Sequence, residues 1–224
     1  MKIKSLILIT SSLIPAITVA QTSQTNFYVK AGIDLTSRFE TLKIHSGFDE
    51  SYHHFARGSK KNTFSPSIFL ETTYNILPQT EVGLGVGYIK RKGFNYYHEY
   101  NLFKEEYKIN RYSSIPIYLT FKQNFSLNQD TKIYFKSDLG YSFNKTRKTL
   151  YKANSPPYRN TIHFKTKDGL YLGLGVGIEY KSFLTEIGYY HTNSAVTYVS
   201  RHYKTNAHSS YNNDALRLSI GFKF

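Results

Sequence analysis

The chain has 224 residues, a length that suits one domain or two. It has no cysteine, which excludes a disulfide framework, a thiolate metal site and a lipidated N-terminal cysteine. Its formal net charge is +14, which points to anionic partners such as an acidic glycan or a phospholipid surface.

The first 20 residues read as a cleaved export signal. Lys2 and Lys4 form a basic start, Leu6 to Ile17 an apolar stretch, and Thr18-Val19-Ala20 a small-residue site with cleavage after Ala20. The predicted mature domain is 21–224. Losing Lys2 and Lys4 takes the net charge from +14 to +12, and export argues against nucleic acid as the partner of that charge. No later segment reaches 18 consecutive apolar residues, so no spanning helix is expected.

The mature chain instead alternates with period two, in stretches of about ten residues. One face of the first stretch is Phe27, Val29, Ala31, Ile33 and Leu35, with Lys30, Gly32 and Asp34 opposite. The second sets Phe64, Ile68, Leu70, Tyr74 and Ile76 against Ser65, Ser67, Glu71 and Asn75. The third sets Val82, Leu84, Val86 and Tyr88 against Glu81, Gly83, Gly85 and Gly87. The fourth sets Ile115, Ile117, Leu119 and Phe121 against Ser114, Pro116, Tyr118 and Thr120. The fifth sets Ile133, Phe135, Leu139, Tyr141 and Phe143 against Lys132, Lys136, Asp138 and Gly140. The sixth sets Leu170, Leu172, Leu174, Val176 and Ile178 against Gly173, Gly175, Gly177 and Glu179. The seventh has Phe183, Thr185, Ile187 and Tyr189 against Glu186 and Gly188. The eighth ends the chain, with Leu216, Leu218, Ile220, Phe222 and Phe224 against Arg217, Ser219, Gly221 and Lys223.

The connections alternate too. Short ones surround Pro78-Gln79, Ser126 to Thr131 and Lys181; long ones run from Glu40 to Asn62, Lys90 to Asn110, Lys145 to Asp168 and Asn193 to Asp214. Short turns on one side and long loops on the other predict an all-β fold: an eight-stranded antiparallel up-and-down transmembrane β-barrel with both termini on the periplasmic side. A β-sandwich would share the alternation of residues but not that of loop lengths.

The last strand, alternating up to Phe222 and Phe224, resembles the terminal signal read by the outer-membrane assembly machinery. Together with the loop rhythm, it resembles the small outer-membrane barrels of the opacity type and their eight-stranded relatives. The resemblance implies a surface protein of a Gram-negative outer membrane, in contact with its lipid and lipopolysaccharide. It also implies loops that bind an acidic host glycan or a serum protein. Girdles of Trp are absent, and Phe27, Tyr74, Tyr88, Phe121, Tyr141, Tyr180 and Phe183 are expected in their place.

Eight strands enclose a lumen that side chains can fill. The inward parity predicts a salt-bridge network of Lys30, Asp34, Glu71, Lys136, Asp138, Glu179, Glu186 and Arg217, with Lys132 beside it. The Gly83/Gly85/Gly87 and Gly173/Gly175/Gly177 rows are expected to make room for those long side chains. The long loops concentrate basic and Tyr residues. Lys90, Arg91, Lys92, Tyr96, Tyr97, Lys145, Arg147, Lys148, Lys152, Arg159, Arg201 and Lys204 are the predicted ligand-binding set.

No cofactor is expected. The glycine alternation at 83–87 lacks the spacing of a nucleotide loop and precedes no helix. His45, His53, His54, His202 and His208 have no ligand spacing, so no metal is assigned. His191 and Ser194 resemble in part the Ser and His of barrel lipid A deacylases, where Ser follows His by two positions. Here Asn193 stands at that position, Ser194 falls on the opposite face, and the one acid to suggest is the distant Asp214. A hydrolase, a narrow channel and a purely structural barrel remain the competing readings.

Overall fold

The computed structural model describes residues 24–40, 43–45, 52–54, 64–100, 103–109, 111–146, 151–152, 161–162, 164–199 and 206–224. The predicted signal segment, 1–20, lies outside them. Eight long strands build the molecule: β1 (Thr25–Phe39), β2 (Ser65–Leu77), β3 (Thr80–Ile89), β4 (Ser113–Ser126), β5 (Thr131–Lys145), β6 (Gly169–Tyr180), β7 (Phe183–Thr192) and β8 (Asn213–Lys223). Each pairs antiparallel with its chain neighbours, and β1 pairs with β8 to close the barrel. Closure leaves no unpaired edge, the condition for a sheet in hydrocarbon. The shortest of these strands has 10 residues, enough for a tilted span.

The outward parity carries the apolar side chains, so Leu84, Leu119, Leu139, Leu174 and Ile220 are exposed on the barrel surface. Burying them against lipid rather than protein is what the alternation accomplishes. The inward parity holds the polar and aromatic core.

Two local features set the details. Between Asp34 and Thr36 the β1–β8 register shifts, so Leu35 is an extra residue in β1. A one-residue insertion reverses which face each later side chain occupies. Strict alternation from Phe27 would point Arg38 inward and Phe39 outward; the bulge leaves Arg38 exposed and Phe39 buried. At the β6–β7 turn Lys181 has φ 53°, a left-handed conformation that a Cβ disfavours. Lys181→Gly is therefore expected to raise the unfolding free energy by up to about 1 kcal/mol, because the strain removed exceeds the backbone entropy added. Urea unfolding in detergent micelles would check this, and a loss of stability would contradict it.

The long connections carry strands of their own, which the sequence reading did not assign. Paired strands extend beyond the barrel at 43–45 with 52–54, 94–100 with 103–109, 151–152 with 161–162, and 164–166 with 195–199 and 206–210. Tyr, Phe and Ile are frequent in these stretches, and backbone ladders begun in the barrel can continue outward.

Candidate functional site: a filled polar lumen and a basic outer rim

The lumen is layered. Nearest the termini, the Lys122 ammonium is 2.8 Å from Glu179 and 3.6 Å from Glu81. Glu81 also accepts hydrogen bonds from Tyr28, Asn124 and Thr73. Lys122 lies over the Tyr28 and Tyr134 rings, and Lys223 reaches Glu179 at 3.2 Å. In the middle layer Glu71 is shared by Lys30 at 2.7 Å and Lys136 at 2.6 Å. Lys30 also meets Glu186 at 3.2 Å, and Lys136 meets Asp138 at 2.9 Å. Tyr118 donates to Glu71, and Tyr134 and Tyr190 donate to Glu186. Above them Arg217 holds Asp34 at 2.7 Å, with its guanidinium 4.4 Å from the Tyr190 ring centroid and 4.7 Å from that of Phe69. Pairing of this kind is required, since an isolated charge there would cost several kcal/mol.

The structure thus places Lys30, Asp34, Glu71, Lys136, Asp138, Glu179, Glu186 and Arg217 in the lumen. Lys132 is half-buried near the short-turn end, with no ion pair among the described residues. The sequence reading missed Lys122 and the inward rings of Tyr28, Phe69, Tyr134, Tyr171 and Tyr190. Extending the fourth stretch by its own parity would have found Lys122.

The glycine rows do a different job from the one expected. A Cβ on Gly85 would lie 2.4 Å from the Tyr118 ring, on Gly87 2.2 Å from Phe69, on Gly173 2.6 Å from Tyr190, and on Gly177 2.3 Å from Tyr134. The room goes mainly to aromatic rings; in these rows Gly175 lies beside the Glu186 side chain, and Gly173 beside Asp138 as well as Tyr190. Between Lys30, Glu71, Lys122, Lys136 and Glu186 a cavity of about 10 Å³ remains, room for about one water.

At the outer mouth Phe39, Tyr112 and Tyr211 pack together with Arg91 and Arg111. Arg91 is 5% exposed and donates to Ser114 and Thr192. Burial pushes the Tyr211 phenol up to about 12 and raises Tyr112 also, so neither ionises to offset the guanidiniums. Arg91 was expected among ligand-binding loop residues. The structure turns it into this stopper, because a guanidinium between rings and hydroxyls closes the lumen end.

Outside the stopper, Lys90, Lys92, Lys145, Lys165 and Lys167 are exposed around the rim. Tyr96, Tyr97 and Lys152 lie in the outward hairpins, their side chains outside the described set. Arg147, Lys148, Arg159, Arg201 and Lys204 lie outside the described residues, as does His202. His45, His53, His54 and His208 lie in outer strands, their side chains likewise outside the described set.

Asp214, distant in sequence, is the cross-strand neighbour of His191, and its Oδ1 is 2.7 Å from His191 Nδ1. Tyr189 donates to the same oxygen, and Asn193 Oδ1 lies against His191 Nε2. Ser194 is buried and donates to the Lys167 carbonyl, so no hydroxyl stands in the nucleophile position beside His191. Among the described residues a carboxylate–imidazole pair exists without a triad.

The chain matches the family described as outer membrane protein beta-barrel domain over residues 6–224. It is 42% identical over 217 residues, 89% of each chain, to an uncharacterized protein of Pasteurella multocida (strain Pm70). Among solved structures it is similar to Neisserial surface protein A, with a TM-score of 0.38, 12% identity, and coverage of 88% of this chain and 97% of that one. It is similar to Ail of Yersinia pestis, with a TM-score of 0.37, 12% identity, and coverage of 90% and 99%. It is similar also to the outer membrane protease OmpT of Escherichia coli, with a TM-score of 0.43, 12% identity, and coverage of 90% and 93%. With a closed eight-stranded barrel and a family match over nearly the whole chain, this protein belongs to the outer membrane protein beta-barrel domain family and resides in a Gram-negative outer membrane.

Proposed function

We propose that the protein is a non-enzymatic surface barrel, exported with a cleaved leader over residues 1–20. Its basic outer rim and Tyr-rich loops would bind anionic polysaccharide on another surface, in adhesion or envelope contact. The observation that supports this is a charge asymmetry at the outer end. Lys90, Lys145, Lys165 and Lys167 are exposed there, and among the described residues the nearby acids are held in hydrogen bonds. Asp168 accepts from the Asn144 amide at 2.6 Å, Glu40 from Asn212 and Ser210, and Asp214 from His191 and Tyr189. The exposed rim lysines Lys90, Lys92, Lys145, Lys165 and Lys167 outnumber Glu40, Asp168 and Asp214, and that excess of positive charge favours anions. A lumen filled with side chains supports a surface role over conduction, and the placement of Ser194 supports a role without hydrolysis.

Binding of the refolded barrel to a heparin-like glycan across a salt series tests this reading. Affinity should fall steeply with salt, and changing Lys145, Arg147, Lys148 and Lys152 together to Gln should weaken it by roughly tenfold, about 0.3–0.5 kcal/mol per charge. Absence of binding at physiological salt, or binding insensitive to the variant, would overturn it.

A further inference from the structure

Arg91 stands just beyond the end of β3, buried, and among the described residues every partner it has is neutral. Its two Nη groups donate to the Ser114 and Thr192 hydroxyls. Its guanidinium carbon lies 5.2 Å from the Tyr112 ring centroid and 5.8 Å from that of Phe39. Its Nε–H is buried with no acceptor among the described residues. The other buried cations deeper in the lumen are matched differently. Lys30, Lys122, Lys136 and Arg217 lie 2.7, 2.8, 2.6 and 2.7 Å from a carboxylate. Asp34, the buried carboxylate of the outer layer, is already held by Arg217.

A guanidinium stays ionised when buried, and hydroxyls and ring faces recover less than the burial of its charge costs. Burial holds Arg91 below the ordinary guanidinium value; Tyr112 and Asp34 offset that only in part, and Arg217 adds repulsion. A second guanidinium, Arg111, packs 4.6 Å from the centroid of the same Phe39 ring, with its Nη1 3.4 Å from the Ser37 carbonyl. Lys90 and Lys92, on either side of Arg91 in the chain, are exposed. Together these groups set up a positive potential that runs from the rim into the mouth.

We propose that Arg91 anchors a binding site for a small monatomic anion, of the chloride class, at the outer mouth of the lumen. Charge selects an anion, since one negative charge at Nε gives Arg91 the kind of partner that Asp34 gives Arg217. Size selects a small one. Phe39, Tyr112 and Tyr211 fill the mouth with ring centroids 5.1, 4.8 and 5.9 Å apart, which is too close for a sulfated sugar to pass between them. The bound ion ties three strands together, because Arg91 already bonds Ser114 of β4 and Thr192 of β7. The site is separate from the exposed rim lysines that would read an external glycan, and it does not depend on that reading.

The test unfolds the whole refolded barrel with urea in uncharged maltoside micelles while sodium gluconate is exchanged for sodium chloride at constant ionic strength. An ion that binds the folded barrel alone raises the folded-to-unfolded ratio by up to about tenfold for each tenfold rise in chloride above its dissociation constant. Arg91→Gln should abolish that dependence, whereas general salt effects act on both proteins alike. In crystals of the wild type grown with sodium bromide, an anomalous peak is expected in contact with Arg91 Nε. A wild-type ratio that ignores chloride would overturn the proposal. So would a chloride response that survives in Arg91→Gln, or bromide found only at the rim lysines or nowhere. If the variant does not fold, the two wild-type measurements decide. A loop carboxylate or a water molecule at Nε gives neither a chloride response nor a bromide peak, and so counts among the overturning results.

Discussion

Replacing Lys136 with Met is expected to lower the unfolding free energy of the barrel by about 3–5 kcal/mol, the cost of leaving buried charge without its partner. The middle layer sets three carboxylates, Glu71, Asp138 and Glu186, against two ammonium groups, Lys30 and Lys136. Taking away Lys136 leaves Asp138 with no cation at ion-pair distance and Glu71 with Lys30 alone. Taking away a carboxylate acts differently. Glu71→Gln leaves Lys30 with Glu186 and Lys136 with Asp138, a balanced set, and should cost clearly less. The double variant should be more stable than Lys136→Met alone, since two carboxylates rather than three then face the single ammonium of Lys30. Urea unfolding in micelles of the wild type and these three variants gives the coupling directly. If Glu71→Gln proves as damaging as Lys136→Met, hydrogen-bond geometry rather than charge balance dominates this layer.

Gly177→Val should be the most damaging substitution on β6, costing about 3 kcal/mol and leaving much of the protein unable to refold. The new Cβ would stand 2.3 Å from the Tyr134 ring and 2.6 Å from the Thr185 carbonyl. The ring could swing aside only by giving up its hydrogen bond to Glu186 at 3.1 Å, and the carbonyl belongs to the paired strand β7 and cannot move alone. Gly175, two residues away on the same face, is the internal control. A Cβ there meets nothing closer than 3.4 Å, so Gly175→Ala should fold with near-native stability. Heat-modifiable gel mobility and refolding yield separate the two. Equal tolerance at both positions would mean that the aromatic rings are not packed against the glycine row.

Both expectations rest on which side chains meet across the lumen, and that was the part least visible in the linear chain. The face of each residue was legible because a strand has period two and lipid accepts only apolar groups. Leu84 and Leu174 outside, with Glu71 and Arg217 inside, follow from that alone. So did the strand count, since short turns at Pro78, at Ser126 to Thr131 and at Lys181, with long excursions between them, mark hairpins directly.

Pairing within the lumen follows other rules. Lys30 meets Glu186 across 156 positions of sequence, and Lys122 meets Glu179 across 57, because barrel closure and strand stagger bring opposite walls together. Asp214 looked too far from His191 to matter; adjacent strands made them neighbours. The bases pooled as loop ligands also divided, with Arg91 drawn into the aromatic stopper while Lys90 and Lys145 stayed outside.

The amino-acid sequence by itself determined the barrel, its inner and outer faces and the basic character of its outer end, because alternation and turn chemistry are local and each residue states its own preference. Only the tertiary structure decided the partners of the buried charges, the use of the glycine rows by aromatic rings, and the outward turn of Arg38. Those depend on closure, on stagger and on a single extra residue at Leu35, which shifts one strand face by one position and leaves no mark in the pattern before it.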